Sequence, residues 1–442
     1  MNGQLNQLDP QPSKGAPQLL WAPFSMDIGR FWVTLLAVIV AFSGFSCAED
    51  STANDRDVTA KSDVNKLIKP APIKPGSEWR MFRGDVSQTG ISSAKISDKF
   101  ALRWRFKTDE PIKATAVIRD GRAFIGSLDG KFYCIEIKTG KKIWSFDTLT
   151  GPLHPEAAPG EKKYSDPVEA AGLLFGDWVY FGSHDGNLYC LDTKTGKMIW
   201  AYTTDDQITA APVNVKSPDG KAMWIIVGSR DNHLHCVNAK TGKGVWKYET
   251  TNYINGAPAI SKGVTVFGGC DGLVHVVSVK DGKAVKEIEV AEYIAATAAM
   301  VGDLVYVGHY GNKFACVDIT KKKIVWEFGE KDFPFMSAPA VTEKRLVVGG
   351  QDNRVHCIDP KTGKSLWQFR TKGDVDSSPV IAGNRVIVGS ADGRVYLLNL
   401  QTGEKIWDYE IGESILSSPA VVNGLFIIGS DDGSIYCFEN KQ

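Results

Sequence analysis

Three side chains in this sequence could together hold a hard cation and move a proton: Glu169, Asn255 and Asp376. Carboxylate and amide oxygens are the ligands calcium prefers, and an aspartate can serve as general base. The three share one position of a repeated unit, which reads Lys113, Glu169, Thr209, Asn255, Ala295, Met336, Asp376 and Leu416 in chain order. Alanine, methionine and leucine in that series suit a solvated rim equally well. The cysteines invite a second chemistry. Six of the eight (Cys134, Cys190, Cys236, Cys316, Cys357 and Cys437) recur at one slot, filled by Val276 and Leu397 in the other two units. Equivalent slots of different units lie beyond the ~7 Å Cα separation that a disulfide spans. The slot therefore reads as a small buried side chain. Cys47 and Cys270 have no evident partner, and no spacing resembles a paired metal-ligand set.

The repeat that carries these residues fixes the elements. An aspartate in a Gly-Ser-x-Asp-Gly turn recurs at Asp129, Asp185, Asp231, Asp271, Asp352, Asp392 and Asp432, with Gly311 in the remaining slot. Successive anchors stand 56, 46, 40, 40, 41, 40 and 40 residues apart. Fifteen residues after the anchor come Trp144, Trp200, Trp246, Lys286, Trp326, Trp367 and Trp407. Residues 384–399 (NRVIVGSADGRVYLLN) show two alternating runs split by Asp-Gly, a hairpin signal read as a type I′ turn with positive φ at both residues. SSPVIAG before this pair and KIWDYEI after it complete four short strands. Four-stranded units repeating every 40 or so residues are propeller blades, with the tryptophan filling the wedge between neighbours.

The termini predict closure. The last unit stops after its third strand, and residues 101–107 (ALRWRFK) supply the missing fourth, with Trp104 in the tryptophan slot. The sequence thus predicts an all-β, eight-bladed propeller over residues 77–442, closed by pairing of its N- and C-terminal strands.

The units Gly182–Trp200 and Gly126–Trp144 resemble the pyrrolo-quinoline quinone (PQQ)-like repeat family. Residues 79–85 (WRMFRGD) resemble a segment that often precedes such propellers. Two branches of the family matter. The quinoprotein dehydrogenases bind PQQ and calcium over the channel, which would place both at Glu169, Asn255 and Asp376 and imply oxidation of alcohols or sugars. The other branch resembles BamB, the non-catalytic lipoprotein scaffold of outer-membrane barrel assembly. This chain is short like the second group and lacks the adjacent cysteine pair found in many of the first. Residues 374–379 (DVDSSP) are similar to a rim segment of BamB-type propellers that meets the assembly partner. The neighbouring Phe333-Pro334-Phe335-Met336 departs from that family's basic and leucine-bearing segment. The resemblance implies protein binding at Asp374 and Asp376, flanked by Phe333 and Phe335, without a cofactor.

Strand alternation puts the Asp-Gly turns and blade-to-blade crossovers on one face, called the top, and the Thr-Gly turns and first hairpin loops on the other. The longest insertion, residues 149–166, is a top crossover whose His154, Glu156 and Tyr164 are exposed polar candidates. The extra residues around Ser217-Pro218-Asp219-Gly220 belong to the bottom.

Charge is balanced at 51 basic and 51 acidic residues, which argues against a nucleic-acid partner. Residues 31–46 form a short apolar run preceded by Arg30 and followed by Glu49-Asp50, the pattern of a signal peptide over residues 1–48, with Met26 a fitting start. Cleavage before Glu49 and lipidation at Cys47 both suit the sequence. Residues 49–76 read as a flexible tether. The expectation is an exported monomer of the periplasm or cell envelope that binds a protein or peptide on its top face.

Overall fold

The computed structural model describes residues 74–152, 165–290, 292–329 and 332–441. The assignments of a signal peptide, a lipidated Cys47 and most of the tether fall outside them, as do His154, Glu156 and Tyr164. Eight sheets, each with four antiparallel blade strands, follow one another in a ring, and the short strand Ile91–Ser92 joins one of them in parallel beside Ile381 and Ala382. Blade 1 is built from Val117–Arg119, Arg122–Gly126, Lys131–Glu136 and Lys142–Asp147, running from the channel to the outer rim. Blades 2 to 7 repeat this order over residues 173–203, 213–249, 259–289, 299–328, 340–370 and 380–410. Blade 8 takes its three inner strands from residues 420–440 and its outer strand from Phe100–Lys107. Trp104 lies opposite Cys437 in that register, so the ring closes as the sequence predicts.

The conserved spacing of tryptophan and glycine has one cause. Six outer-strand tryptophans lie on the Thr-Gly turn of the next blade (Asp281-Gly282 under Trp246), and the indole N–H donates to a backbone carbonyl there: Trp104 to Ile137, Trp144 to Thr193, Trp200 to Ala239, Trp246 to Val279, Trp326 to Pro360 and Trp367 to Leu400. A Cβ on Gly140 would stand 2.7 Å from the Trp104 ring, and the turn also needs a φ of 72° there. Lys286 takes the tryptophan role between blades 4 and 5, its Nζ donating to the Ile319 carbonyl at 2.6 Å. Trp407 packs instead on Phe100 and Phe426, because blade 8 has no Thr-Gly turn. The seven described cysteines are buried free thiols, and burial pushes those of Cys134, Cys316, Cys357 and Cys437 up to about 12.

The anchor turns correct the sequence reading. A type I′ turn would give the aspartate a positive φ, yet only the following residue is left-handed, as at Gly130 (78°) and Asn232 (67°). The chain makes a tight turn closed by Gly130 N–H to the Ser127 carbonyl, and the aspartate works through its side chain. Its Oδ1 accepts the amide two residues on, as Asp129 does from Lys131. The carboxylate also accepts from a tyrosine or histidine four residues on: Tyr133, Tyr189, His235, His275, His356, Tyr396 and Tyr436.

Residues 79–92, whose first part resembles a segment that often precedes such propellers, take a course the sequence did not reveal. They run around the channel beneath its top mouth and cover the free edges of the inner strands. Trp79 pairs with Ile118 of blade 1, and the Arg80 carbonyl accepts from Leu174 of blade 2. The carbonyls of Val86, Ser87, Thr89 and Gly90 accept from Ile260, Met300, Val341 and Ile381 of blades 4 to 7. Ser92 Oγ donates to Val421 of blade 8. The unpaired inner edges thereby gain partners.

Candidate functional site: the top face and channel mouth

The eight positions read as a rim do line one cavity. Lys113, Glu169, Thr209, Asn255, Ala295, Met336, Asp376 and Leu416 surround a space of about 230 Å³, each of them half-buried. Two residues further along each strand a second ring of small side chains narrows the channel, and Phe82 forms its floor against Ala171, Ala211 and Ala257.

The residue before each rim position points the other way. Ile112, Val168, Ile208, Ile254, Ile294, Phe335, Val375 and Ile415 are all buried, each over a glycine of a neighbouring blade, as Phe335 is over Gly308. This corrects the expectation for Phe335, which is 3% exposed and packs on Phe314, Phe328 and His356 rather than facing a partner. Phe333 is 51% exposed, as expected.

Around the mouth the polar groups fall into separate clusters. Glu169 accepts from His184 Nε2 at 3.2 Å, and this bond, opposed by burial and aided by Lys113, holds its carboxyl below the usual range. Asn255 Oδ1 already accepts from Thr209 Oγ1 and Arg230 Nε, both at 3.1 Å. Its amide nitrogen faces the Cys270 sulfur at 3.3 Å. Asp376 belongs to blade 7, which an eight-blade ring sets opposite blade 3. There Gln351 Nε2 donates to both its oxygens, at 3.1 and 3.2 Å. Burial raises the Asp376 carboxyl, Gln351 opposes the rise, and Asp374 adds to it.

This arrangement does not fit PQQ and calcium at Glu169, Asn255 and Asp376. The amide oxygen needed by the metal is occupied by two donors, one of them a guanidinium that a cation would face. The carboxylates belong to different sides of the mouth, and the cavity is smaller than the 300–1,000 Å³ usual for a drug-sized ligand. A second cluster, Asp231, His233 and His235, brings ligand atoms within 4.8 Å of one another. His235 spends Nε2 on Asp231 and Nδ1 on the Tyr202 hydroxyl, as His275 does with Asp271 and Tyr248, so the repeat accounts for it structurally.

The top surface also contains residues that sequence reasoning missed. The backbone carbonyl two residues before each rim position accepts from the amide just before the anchor: Pro111 from Leu128, Pro167 from His184, Gln207 from Arg230, Tyr253 from Cys270, Tyr293 from Tyr310, Pro334 from Gln351, Asp374 from Ala391 and Ser414 from Asp431. Main-chain atoms make this bond, so the side chains at both positions vary without disturbing the fold. On blade 5 both are aromatic, and on blade 4 the first is. Tyr253, Tyr293 and Tyr310 are 45%, 54% and 48% exposed and continue toward Phe333. The signal was present in the sequence: these positions vary while their neighbours repeat.

The sequence matches the family model described as outer membrane protein assembly factor BamB over residues 97–214, 161–332 and 315–442. The fold is similar to BamB of Moraxella catarrhalis, with a TM-score of 0.63 and 19% identity over 77% of this chain and 100% of that one. It is also similar to quinohemoprotein alcohol dehydrogenase of Comamonas testosteroni, with a TM-score of 0.69 and 15% identity over 86% and 83%. In sequence, quinohemoprotein alcohol dehydrogenase ADH IIB of Pseudomonas putida is 30% identical over 35% of this chain and 23% of its own length. Quinoprotein ethanol dehydrogenase of Pseudomonas aeruginosa is 25% identical over 42% and 28%. The chain thus spans about a quarter of the length of these curated relatives. With eight blades of PQQ-like repeats and a family match over most of its length, the chain belongs to the family described as outer membrane protein assembly factor BamB.

Proposed function

We propose that this chain is a non-catalytic scaffold of the cell envelope that captures a protein or extended peptide on its top face. The observation that supports this most is the arc of exposed aromatic residues, Tyr253, Tyr293, Tyr310 and Phe333, on blades 4 to 6. Large exposed aromatic side chains held on a rigid frame are the usual anchors of protein interfaces. The acidic positions Asp374 and Asp376 border the arc and suit its polar rim. The family's printed description, an assembly factor for outer membrane proteins, agrees with a docking role in the envelope.

The test is capture from an envelope extract by the immobilised protein. Tyr293→Ser with Tyr310→Ser, and separately Asp374→Lys with Asp376→Lys, should each lose a recurring partner while leaving the melting temperature unchanged. Undiminished capture by both variants would defeat the reading. Stoichiometric retention of PQQ with calcium through gel filtration, followed by dye reduction with alcohols, would replace it with the dehydrogenase one.

A further inference from the structure

At the blade junctions with an anchor histidine or tyrosine, a pairing rule holds between the outer strand of one blade and the third strand of the next. Where the fourth residue after the anchor is tyrosine, its hydroxyl is satisfied by the anchor, and at three of four such junctions the preceding blade offers a phenylalanine: Phe106 beside Tyr133, Phe146 beside Tyr189, Phe369 beside Tyr396. Where it is histidine, the anchor carboxylate takes Nε2–H and leaves Nδ1 as a buried acceptor. The preceding blade then offers a tyrosine, whose hydroxyl meets that nitrogen: Tyr202 to His235 at 3.1 Å, and Tyr248, which also donates to Glu287 at 2.7 Å, to His275 at 3.0 Å.

Two junctions depart from this pairing: before blade 8 the slot of Phe106, Phe146 and Phe369 holds Tyr409 although Tyr436 is already satisfied by Asp432, and before blade 6 a histidine lacks its tyrosine. His356 bonds Asp352 through Nε2 at 3.0 Å, but the preceding blade supplies Phe328. The rings keep the sibling geometry, with centroids 5.2 Å apart at 70° against 5.6 Å at 66° for Tyr202 and His235. Only the hydroxyl is missing. His356 is 3% exposed and its Nδ1 has no hydrogen-bond partner. A buried acceptor left so costs about 1–3 kcal/mol.

Beside this defect lies a crevice of about 470 Å³ between blades 5 and 6, lined by Phe328, Phe333, Phe335 and His356. Its charges are paired internally. Glu327 is bound to Lys313 at 2.7 Å and Asp352 to Arg354 at 2.9 Å, leaving Asp332 on the exposed rim. A cation has little to gain there. The unmet demand is for one neutral donor on an aromatic body.

We infer that the crevice receives a tyrosine side chain of the protein partner, whose phenol meets His356 Nδ1 as the Tyr202 hydroxyl meets His235 Nδ1 within the chain. The inference rests on the protein-binding reading and names the chemistry of its anchor. Phe333, shared by the crevice and the aromatic arc, makes the two surfaces continuous. Entry requires the half-exposed Phe328 ring to turn aside from Nδ1, a rotamer change of the fast kind exposed side chains make.

The experiment uses saturation-transfer NMR with N-acetyl-tyrosinamide, N-acetyl-phenylalaninamide and N-acetyl-argininamide on the wild type and on Phe328→Tyr. The tyrosine probe should bind about tenfold more tightly than the phenylalanine one, the worth of one hydrogen bond, and the arginine probe no better than phenylalanine. Phe328→Tyr supplies the hydroxyl in cis, so it should raise the melting temperature and erase the preference for tyrosine. Equal binding of the tyrosine and phenylalanine probes, preferred binding of arginine, or a tyrosine preference that survives Phe328→Tyr would each overturn the inference. Failure here with capture still lost in the Tyr293/Tyr310 variant would leave the scaffold reading standing.

Discussion

Each anchor aspartate binds two groups with one carboxylate, and this gives the fold a measurable response to acid. Burial works to raise the Asp231 carboxyl, but the hydrogen bond from His235 and those from the Asp205 and His233 amides win and draw it down to about 2. Asp271 and Asp352 are also held below the usual range: burial opposes this, and His275 and His356 outweigh it. A carboxyl depressed in the folded state contributes stability above its unfolded pKa, near 3.9, and loses it as the pH falls toward the folded value. Asp231→Asn should therefore melt below the wild type at pH 7, with the gap closing between about pH 4 and pH 2. A constant gap in a pH series of melting curves would show that the pairing carries no linkage. Asp376 has the opposite sign, since its raised carboxyl favours the folded state when protonated and loses that benefit as pH rises through its folded pKa. The sequence made the aspartates legible as turn residues but gave them the wrong reason. A backbone explanation for Asp-Gly was sufficient there, and the side-chain partner four residues away alternates between two residue types. Phe335 was misplaced for a different reason. The alternation that put Met336 on the rim required its neighbour to face inward, and the proximity of two phenylalanines suggested a surface patch instead.

Among the elements, the outer strand of blade 8 and the segment under the channel hold the ring together from two sides. Trp104 is 9% exposed and its indole donates to Ile137 at 2.7 Å, although it pairs with strands more than three hundred residues later. Trp104→Ala should cost about 3–5 kcal/mol, the usual price of truncating a buried aromatic, and lower the melting temperature accordingly. Deleting residues 99–108 should yield an open-edged, aggregating protein, whereas a soluble and cooperatively melting product would deny that this strand closes the ring. Beneath the channel Arg83 is 1% exposed and donates to the carbonyls of Ser378, Pro339 and Pro379 at 3.1, 2.9 and 2.5 Å. Burial lowers its pKa to about 9, partly offset by Asp85, so it remains a cation at neutral pH. A Cβ at Gly90 would fall 1.9 Å from the Arg83 guanidinium, and Gly90 also has a φ of 69°. Both Arg83→Ala and Gly90→Ala should destabilise by roughly 3 kcal/mol, the first by leaving carbonyls unpaired and the second by forcing the arginine aside. Thermal melts at pH 7 read both, and a variant within about 0.5 kcal/mol of wild type would show that the segment is not fastened through this residue. The closing strand was legible because it repeats the motif of the other blades. The channel segment was not, because it occurs once and bonds through its main chain, which leaves no periodic trace.

For the whole molecule, the ring divides its surface by what fixes each face. The bottom is made of Thr-Gly turns fixed by tryptophan packing, so its composition is constrained. The top is tied by main-chain bonds, so its side chains are free to vary, and the exposed aromatic arc on blades 4 to 6 is the surface that the proposed binding role assigns to a partner. Site-specific photocrosslinking in the native envelope tests this division most directly. A benzophenone amino acid placed at Tyr310 on the top should give one discrete crosslinked protein, and the same group at Lys141 on the bottom should give none. No product from Tyr310, or the same product from both positions, would contradict the assignment of the top face as the binding surface.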